Sequence, residues 1–202
     1  MKVLSPFGPK IAQLKLNKSL INKINKEVDR ISSQKKLTKK YDYSKKLVGQ
    51  VKQEIQLPKN FIQKYLAKKI NQSIKEFIKS TTGRITKTIK IKNFWVISQF
   101  SHEYNPVHYH DGHVSGVGYL KIPKFTSNKK SLTTNGTIDF INGNKMFLNN
   151  SIFNHNPKVG DVILFPNYLM HTAYPFISNG ERRSFSFNAE IDNSIANVFR
   201  NE

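Results

Sequence analysis

The sequence predicts an α+β protein that is mainly β, a small barrel or sandwich buttressed by helices near the N-terminus. Three observations predict it. Two stretches before residue 83 carry apolar residues at helical spacing. From Arg84 onward the period changes to two. The short β-rich runs that follow are separated by Gly, Asn and Pro turns. At 202 residues one domain is the default, with room for a sizeable core. Residues 1–83 read as a basic, helix-rich supporting region and residues 84–202 as the β core, integrated in one domain.

Taken in order, Pro6 and Pro9 break the first segment, and the alternating piece Ile11 to Leu16 suits a strand. Leu20, Ile21, Ile24, Val28 and Ile31 follow at helical spacing, with Asn17 or Ser19 placed to cap the start. Ser32 to Lys46 is polar and lysine-dense and reads as a loop. Leu47 to Leu57 fits either a strand or irregular chain. Phe61, Ile62, Tyr65, Leu66, Ile70, Ile74, Phe77 and Ile78 then form one apolar stripe, with Pro58 at its start and Gly83 past its end. Ile85, Ile89 and Ile91 begin the alternation of period two. Phe94–Phe100, Val114–Ile122, Lys145–Leu148, Val162–Phe165 and Arg182–Ile191 continue it.

Composition narrows the chemistry. There is no cysteine, so disulfides and thiolate metal sites are excluded, and imidazole, carboxylate and backbone oxygen are the strong ligands left. No apolar run approaches a membrane span and no signal peptide is visible, so a cytoplasmic protein with no membrane partner is expected. The charge is lopsided: residues 1–92 hold 24 Lys+Arg against 5 Asp+Glu, whereas residues 93–202 hold 9 against 8. That excess fits solvated helix faces in a Lys/Asn/Ile-rich sequence, or a basic surface for nucleic acid or another polyanion.

The chemistry concentrates in Asn105-Pro-Val-His-Tyr-His-Asp-Gly-His113, which holds three of the six histidines. On an extended strand His108 and His110 project to one face, a common start for a mononuclear metal site. A third ligand must come from elsewhere, and His171, six residues after Phe165 and just past a predicted strand end, is the candidate. The last run places Arg182, Ser184, Ser186 and Asn188 on one face and Arg183, Phe185 and Phe187 on the other. That describes a barrel wall lining a polar pocket, with its apolar side under the helices. A buried Arg182 needs an anionic partner. Because the predicted interior offers few carboxylates, a small dicarboxylate ligand fits the guanidinium fork, with Ser184 adding a hydroxyl bond.

The order His108-x-His110, Gly160-Asp161-(four apolar)-Pro166, His171 and Arg182-x-Ser184 resembles the 2-oxoglutarate/Fe(II)-dependent dioxygenases. The runs Asn105 to Gly112, Ser115-Gly-Val-Gly-Tyr119-Leu and Arg183-Ser-Phe-Ser-Phe-Asn188 are similar to a branch common in phages and marine bacteria and related to prolyl hydroxylases. The likeness extends from about Trp95 to Asn188. It implies a double-stranded β-helix, the jelly-roll or cupin-like barrel, with supporting N-terminal helices, and host-cell cytoplasm as the location if the gene is a phage's. It also implies Fe(II), 2-oxoglutarate and O2 as cofactors and co-substrates, with His108, His110 and His171 as metal ligands. Arg182 and Ser184 would grip the far carboxylate of 2-oxoglutarate, and Tyr119 would add a phenol bond. The implied activity is hydroxylation of an unidentified substrate, with the prolyl-hydroxylase likeness suggesting a peptidyl residue.

One position departs from the family, whose second ligand is usually a carboxylate where this chain has His110. Asp111 next door points to the opposite face of a regular strand, unless a bulge at Asp111-Gly112 turns it inward. A third arrangement pairs Asp111 with His110 or His113. Gln99, Trp95 and Asn188 fit either the substrate side of the pocket or ordinary packing. Two other classes remain open: a cupin-like metalloprotein that does not use 2-oxoglutarate, and a basic nucleic-acid-binding module. The first gives no reason for Arg182-x-Ser184, and the second none for the polar pocket wall.

Overall fold

The structure, a computed structural model, describes residues 1–4, 8–126 and 134–197; the predicted breaker Pro6 lies outside them. Two antiparallel sheets form the body. The larger runs in the order β1 (Lys2–Leu4), β2 (Ile11–Lys15), β9 (Asp161–Pro166), β6 (Val114–Lys121), β11 (Arg182–Ile191), β4 (Ile89–Gln99), β3 (Gln53–Gln56). The smaller runs β5 (Asn105–His108), β10 (Met170–Ala173), β7 (Ile138–Ile141), β8 (Ile152–His155). Both edges of the larger sheet therefore come from the first 83 residues.

The central strand β11 has two chemically different faces because side chains alternate along it. Phe185 and Phe187 face outward and stack on Phe94, with ring centroids 5.0 and 6.1 Å apart. Their rings lie over Gly116 and Gly118 of β6, where an added Cβ would meet the rings at 2.4 and 2.2 Å. The glycines of the Ser-Gly-Val-Gly run are thus spaces for phenyl rings. Helix α1 (Lys18–Ser32) packs Ile24, Val28 and Ile31 onto this side, and α4 (Ala67–Thr82) adds Ile74, Phe77 and Ile78. Asn17 caps α1, its Oδ1 accepting from the Leu20 N–H at 2.8 Å. Gly83 ends α4 at φ +72°, in the left-handed conformation that suits glycine. A short helix α3 (Lys59–Phe61) and a π turn (Ile62–Leu66) lead into α4.

Four expectations are corrected. Ser32 to Lys46 is not a loop: it holds α2 (Lys35–Tyr41) and a 3-10 turn at Ser44–Lys46. Only Leu37 and Tyr41 of α2 pack on the core, an i,i+4 pair too short to give a periodic signal. The alternation begins at Ile89, since Asp192 accepts hydrogen bonds from Thr86 Oγ1 and Lys87 N–H at 2.7 and 2.6 Å, holding this segment out of the ladder. Lys145–Leu148 is no strand but the tip of the β7–β8 hairpin. Its Met146, Phe147 and Leu148 are exposed, because no second layer covers them. Finally, His171 does follow the end of β9, but it sits on a strand of its own, β10, rather than on a rim loop. No helix among the described residues is long and apolar enough to cross a membrane.

Candidate active site

The inner face of the larger sheet and the smaller sheet enclose a cavity of about 300 Å³, within the range of small-molecule sites. His108, His110 and His171 converge on it, each offering a ligand nitrogen within 4.8 Å of the others. His108 and His171 are cross-strand partners on β5 and β10, with ring centroids 4.3 Å apart. His110 lies beyond the end of β5, so strand alternation does not place it. Its backbone is pinned by Asn167, whose C=O accepts the His110 N–H at 2.9 Å and whose amide donates back at 3.2 Å. Asn167 is a positioning residue that the sequence did not reveal.

The imidazoles suit a cation. Nδ1 of His108 is 2.7 Å from the Pro106 carbonyl and Nδ1 of His171 is 2.9 Å from the Leu169 carbonyl. Those carbonyls require N–H at Nδ1 and leave the Nε2 lone pairs free. Nδ1 of His110 is buried without a hydrogen-bond partner. Burial pushes all three basicities down, that of His110 to about 3, with neighbouring imidazoles adding to the effect for His110 and His171. The rings are therefore neutral at pH 7, as metal ligation needs.

Asp111 goes elsewhere. Its carboxylate lies 2.8 Å from Lys92 Nζ, accepts the Gly112 N–H at 2.7 Å, and is mostly exposed. Gly112 sits at φ +89°, where a Cβ would meet the Ala189 carbonyl oxygen at 2.9 Å. This turn sends Asp111 outward. His113 Nδ1 accepts the Ile191 N–H at 3.0 Å and fixes the end of β11. Neither joins the three histidines.

Arg182 is only 2% exposed. Its Nη1 donates to Gln99 Oε1 at 2.5 Å, and the Gln99 amide is oriented by donating to the Glu103 and Tyr174 carbonyls. Its guanidinium lies 5.2 Å from the centroid of the Tyr119 ring. Arg182 Nε and Tyr119 Oη are both buried without a hydrogen-bond partner; Tyr119 feels the charge of Arg182, yet the geometry of a bond between them is not met. Ser184 is the register partner of Tyr119 across β6 and β11 and lines the same cavity. Burial pushes the Tyr119 phenol up, keeping it a donor. The arginine Nε and the phenol are unmatched donors beside a serine hydroxyl, which suits a carboxylate.

Of the remaining expected residues, Trp95 packs edge-on against His110 at 5.5 Å between centroids. Asn188 Oδ1 accepts from the Ser115 hydroxyl at 3.0 Å beside His110. The interior also holds a carboxyl that sequence reasoning missed. Glu54 of β3 is buried in the cavity wall with both oxygens unpartnered.

Comparisons with known proteins bear on the family and the fold. Residues 93–188 match the family model described as "Putative 2OG-Fe(II) oxygenase". Over that stretch, just under half of the chain, the sequence is similar to the core of that family. The stretch runs from β4 to β11 and includes every histidine and arginine of the site. No curated protein matches the sequence. Among solved structures, the chain resembles a viral collagen prolyl hydroxylase from Paramecium bursaria Chlorella virus-1 in complex with 2OG. Identity is 16%, with 89% of this chain and 94% of that one covered and a TM-score of 0.58. It also resembles a Trichoplax adhaerens prolyl hydroxylase in complex with a hypoxia-inducible-factor peptide fragment, at 11% identity, 95% and 87% coverage and a TM-score of 0.60. A Pseudomonas putida prolyl-4-hydroxylase is similar at 13% identity, 90% and 91% coverage and a TM-score of 0.56. At these identities the likeness establishes the fold, a double-stranded β-helix.

Proposed function

We propose that this protein is a 2-oxoglutarate- and Fe(II)-dependent dioxygenase that hydroxylates a peptidyl side chain. The observation that carries the reading is one cavity holding both three convergent neutral imidazoles and a buried arginine with an unpartnered Nε. His108, His110 and His171 would hold the metal. When bound, Fe(II) with 2-oxoglutarate and O2 would supply the oxidising chemistry of hydroxylation, 2-oxoglutarate being converted to succinate and CO2 with one oxygen atom of O2 going to succinate and the other to the substrate.

The residues of the chain perform the binding and aiming. Arg182 and Ser184 orient the far carboxylate of 2-oxoglutarate, and Tyr119 donates its phenolic proton to the same group. Gln99, locked by its two backbone partners, keeps the guanidinium pointed into the cavity. Enclosure by both sheets strengthens each of these polar contacts by excluding water. Hydroxylation of a peptidyl residue is supported by the likeness to prolyl hydroxylases, one of them in complex with a peptide fragment.

The test is formation of succinate from 2-oxoglutarate, measured by mass spectrometry with and without Fe(II). Wild-type protein is expected to form succinate slowly without a prime substrate and only with Fe(II). His171→Ala and Arg182→Ala should form none above background. Succinate formation that ignores both substitutions would refute the reading.

A further inference from the structure

Opposite the arginine flank, the cavity wall has a chemistry that 2-oxoglutarate and metal do not use. In the row of side chains across the sheet, Ser184 of β11 faces Ile97 of β4, which faces Glu54 of β3. Glu54 is 2% exposed, and neither carboxyl oxygen has a hydrogen-bond partner. Asn105 Oδ1, at the start of β5, is likewise buried and unpartnered. The two groups close on one spot: a Cβ built on Gly49 would lie 2.6 Å from Glu54 Oε1 and 2.8 Å from Asn105 Oδ1. Beside them Tyr43 and Trp95 are tilted together, ring centroids 5.9 Å apart, and both line the cavity.

We propose that this flank is a subsite for a cationic side chain of the substrate, an ammonium or guanidinium group held by Glu54, Asn105 and the faces of Tyr43 and Trp95. The word substrate rests on the dioxygenase reading above; the cation preference does not. A carboxylate and an amide oxygen offer only acceptors, so the missing partner must bring donors. A buried carboxylate also lacks a countercharge, which a neutral amide cannot provide. Aromatic faces next to a carboxylate favour a cation with an apolar stem. The ring of Tyr43 already carries one cation, Lys46 Nζ, 5.4 Å from its centroid. Lys46 makes no ion pair with Glu54 among the described residues and is itself exposed to solvent. Burial, with the nearby Asp42 charge, pushes the Glu54 carboxyl up to about 7, so its ionised form is accessible near neutral pH. The chain's net charge of +20 does not forbid this, since exposed charges are screened beyond about 8 Å at physiological salt.

Trp95 is the only tryptophan, so all tryptophan emission comes from this cavity, and the charge-matched pairs and Glu54→Gln separate this flank from the His110 side that the ring also meets. The experiment titrates the full-length protein, without added metal or 2-oxoglutarate, with blocked lysine and blocked arginine (N-acetyl, C-methylamide). Blocked norleucine and citrulline serve as the neutral counterparts. Expected is a saturable change in emission at a concentration roughly tenfold lower for each cation than for its neutral counterpart. Glu54→Gln should bring the pairs together. Equal responses to charged and neutral compounds, a cation preference that survives Glu54→Gln, or no response at all would each overturn the proposal. If the variant fails to fold by circular dichroism, the wild-type comparison of lysine with norleucine decides alone. Succinate formation without cation preference sinks the subsite and leaves the dioxygenase. Cation preference without succinate formation does the reverse.

Discussion

The two flanks of the cavity have opposite hydrogen-bonding character. On the β11–β6 side, Arg182 Nε and Tyr119 Oη are donors with nothing to bond and Ser184 lines the same wall, whereas on the β3 side the Glu54 carboxyl oxygens and Asn105 Oδ1 are acceptors with nothing to bond. The histidines complete the wall from the smaller sheet. A protein interior ordinarily pairs such groups with each other. Here β4 separates them, with Ile97 between Ser184 and Glu54 in the sheet register. The separation leaves an anion site and a cation site in one chamber, which is the arrangement for two ligands of unlike charge. It also costs stability, as buried unpaired polar groups do.

Breaking the histidine wall should have the largest effect. His110→Ala and His171→Ala are each expected to abolish stoichiometric Fe(II) binding, measured by metal analysis after desalting, whereas Asp111→Ala should retain it. The donor flank comes next. Arg182→Ala should weaken 2-oxoglutarate binding at least about 100-fold, near 3 kcal/mol, because it leaves the ligand's carboxylate without its countercharge. Isothermal titration with the metal-loaded protein would measure it. Arg182→Lys should restore only part of the affinity, since an ammonium lacks the two-pronged fork.

The acceptor flank predicts a pH effect of definite sign. The folded-state basicity of Glu54 is raised from 4.5 to about 7, so the folded protein keeps a proton that the unfolded chain releases. Stability is therefore full below about pH 4.5, falls as pH rises through 4.5 to 7, and stays reduced above that. Asp42 adds to the penalty, while Lys46 shares the flank without pairing. Glu54→Gln should stabilise the protein by roughly 2 kcal/mol at pH 8, after discounting for the solvent-open mouth, and change little at pH 4. Denaturant melts at the two pH values would show it. Gly49→Ala should have the smallest effect, lowering affinity for blocked lysine a few-fold by crowding Glu54 and Asn105 while sparing 2-oxoglutarate binding.

The donor flank was legible in the sequence and the acceptor flank was not, for a physical reason. Arg182-x-Ser184 is a short spacing whose geometry follows from strand alternation, and the Phe185/Phe187 alternation announces which side faces the helices. The spacing to His108 names His110, although the clamp by Asn167 rather than alternation places it. Glu54 sits in the ambiguous stretch Leu47 to Leu57, on a four-residue edge strand. Its burial comes from pairing with β4 and from the cover given by residues 43–49, contacts remote from any local pattern. The expectation that the interior offers Arg182 few carboxylates holds, since Arg182 bonds Gln99 and β4 separates it from Glu54. Likewise the outward turn of Asp111 is set by Gly112 pressed on Ala189, a contact between segments far apart in the chain. The apolar trio Met146, Phe147 and Leu148 misled in the opposite direction, since β propensity without a covering layer makes a hairpin tip rather than a strand.

The most direct test is an anaerobic titration of the Fe(II)-loaded protein with 2-oxoglutarate, following the weak visible charge-transfer band of the chelated complex. The expected result is a band that saturates at one equivalent in wild type, is lost in His171→Ala with the metal, and fails to form in Arg182→Ala although Fe(II) is retained. Fe(II) binding without a band in wild type, or an undiminished band in Arg182→Ala, would contradict the account.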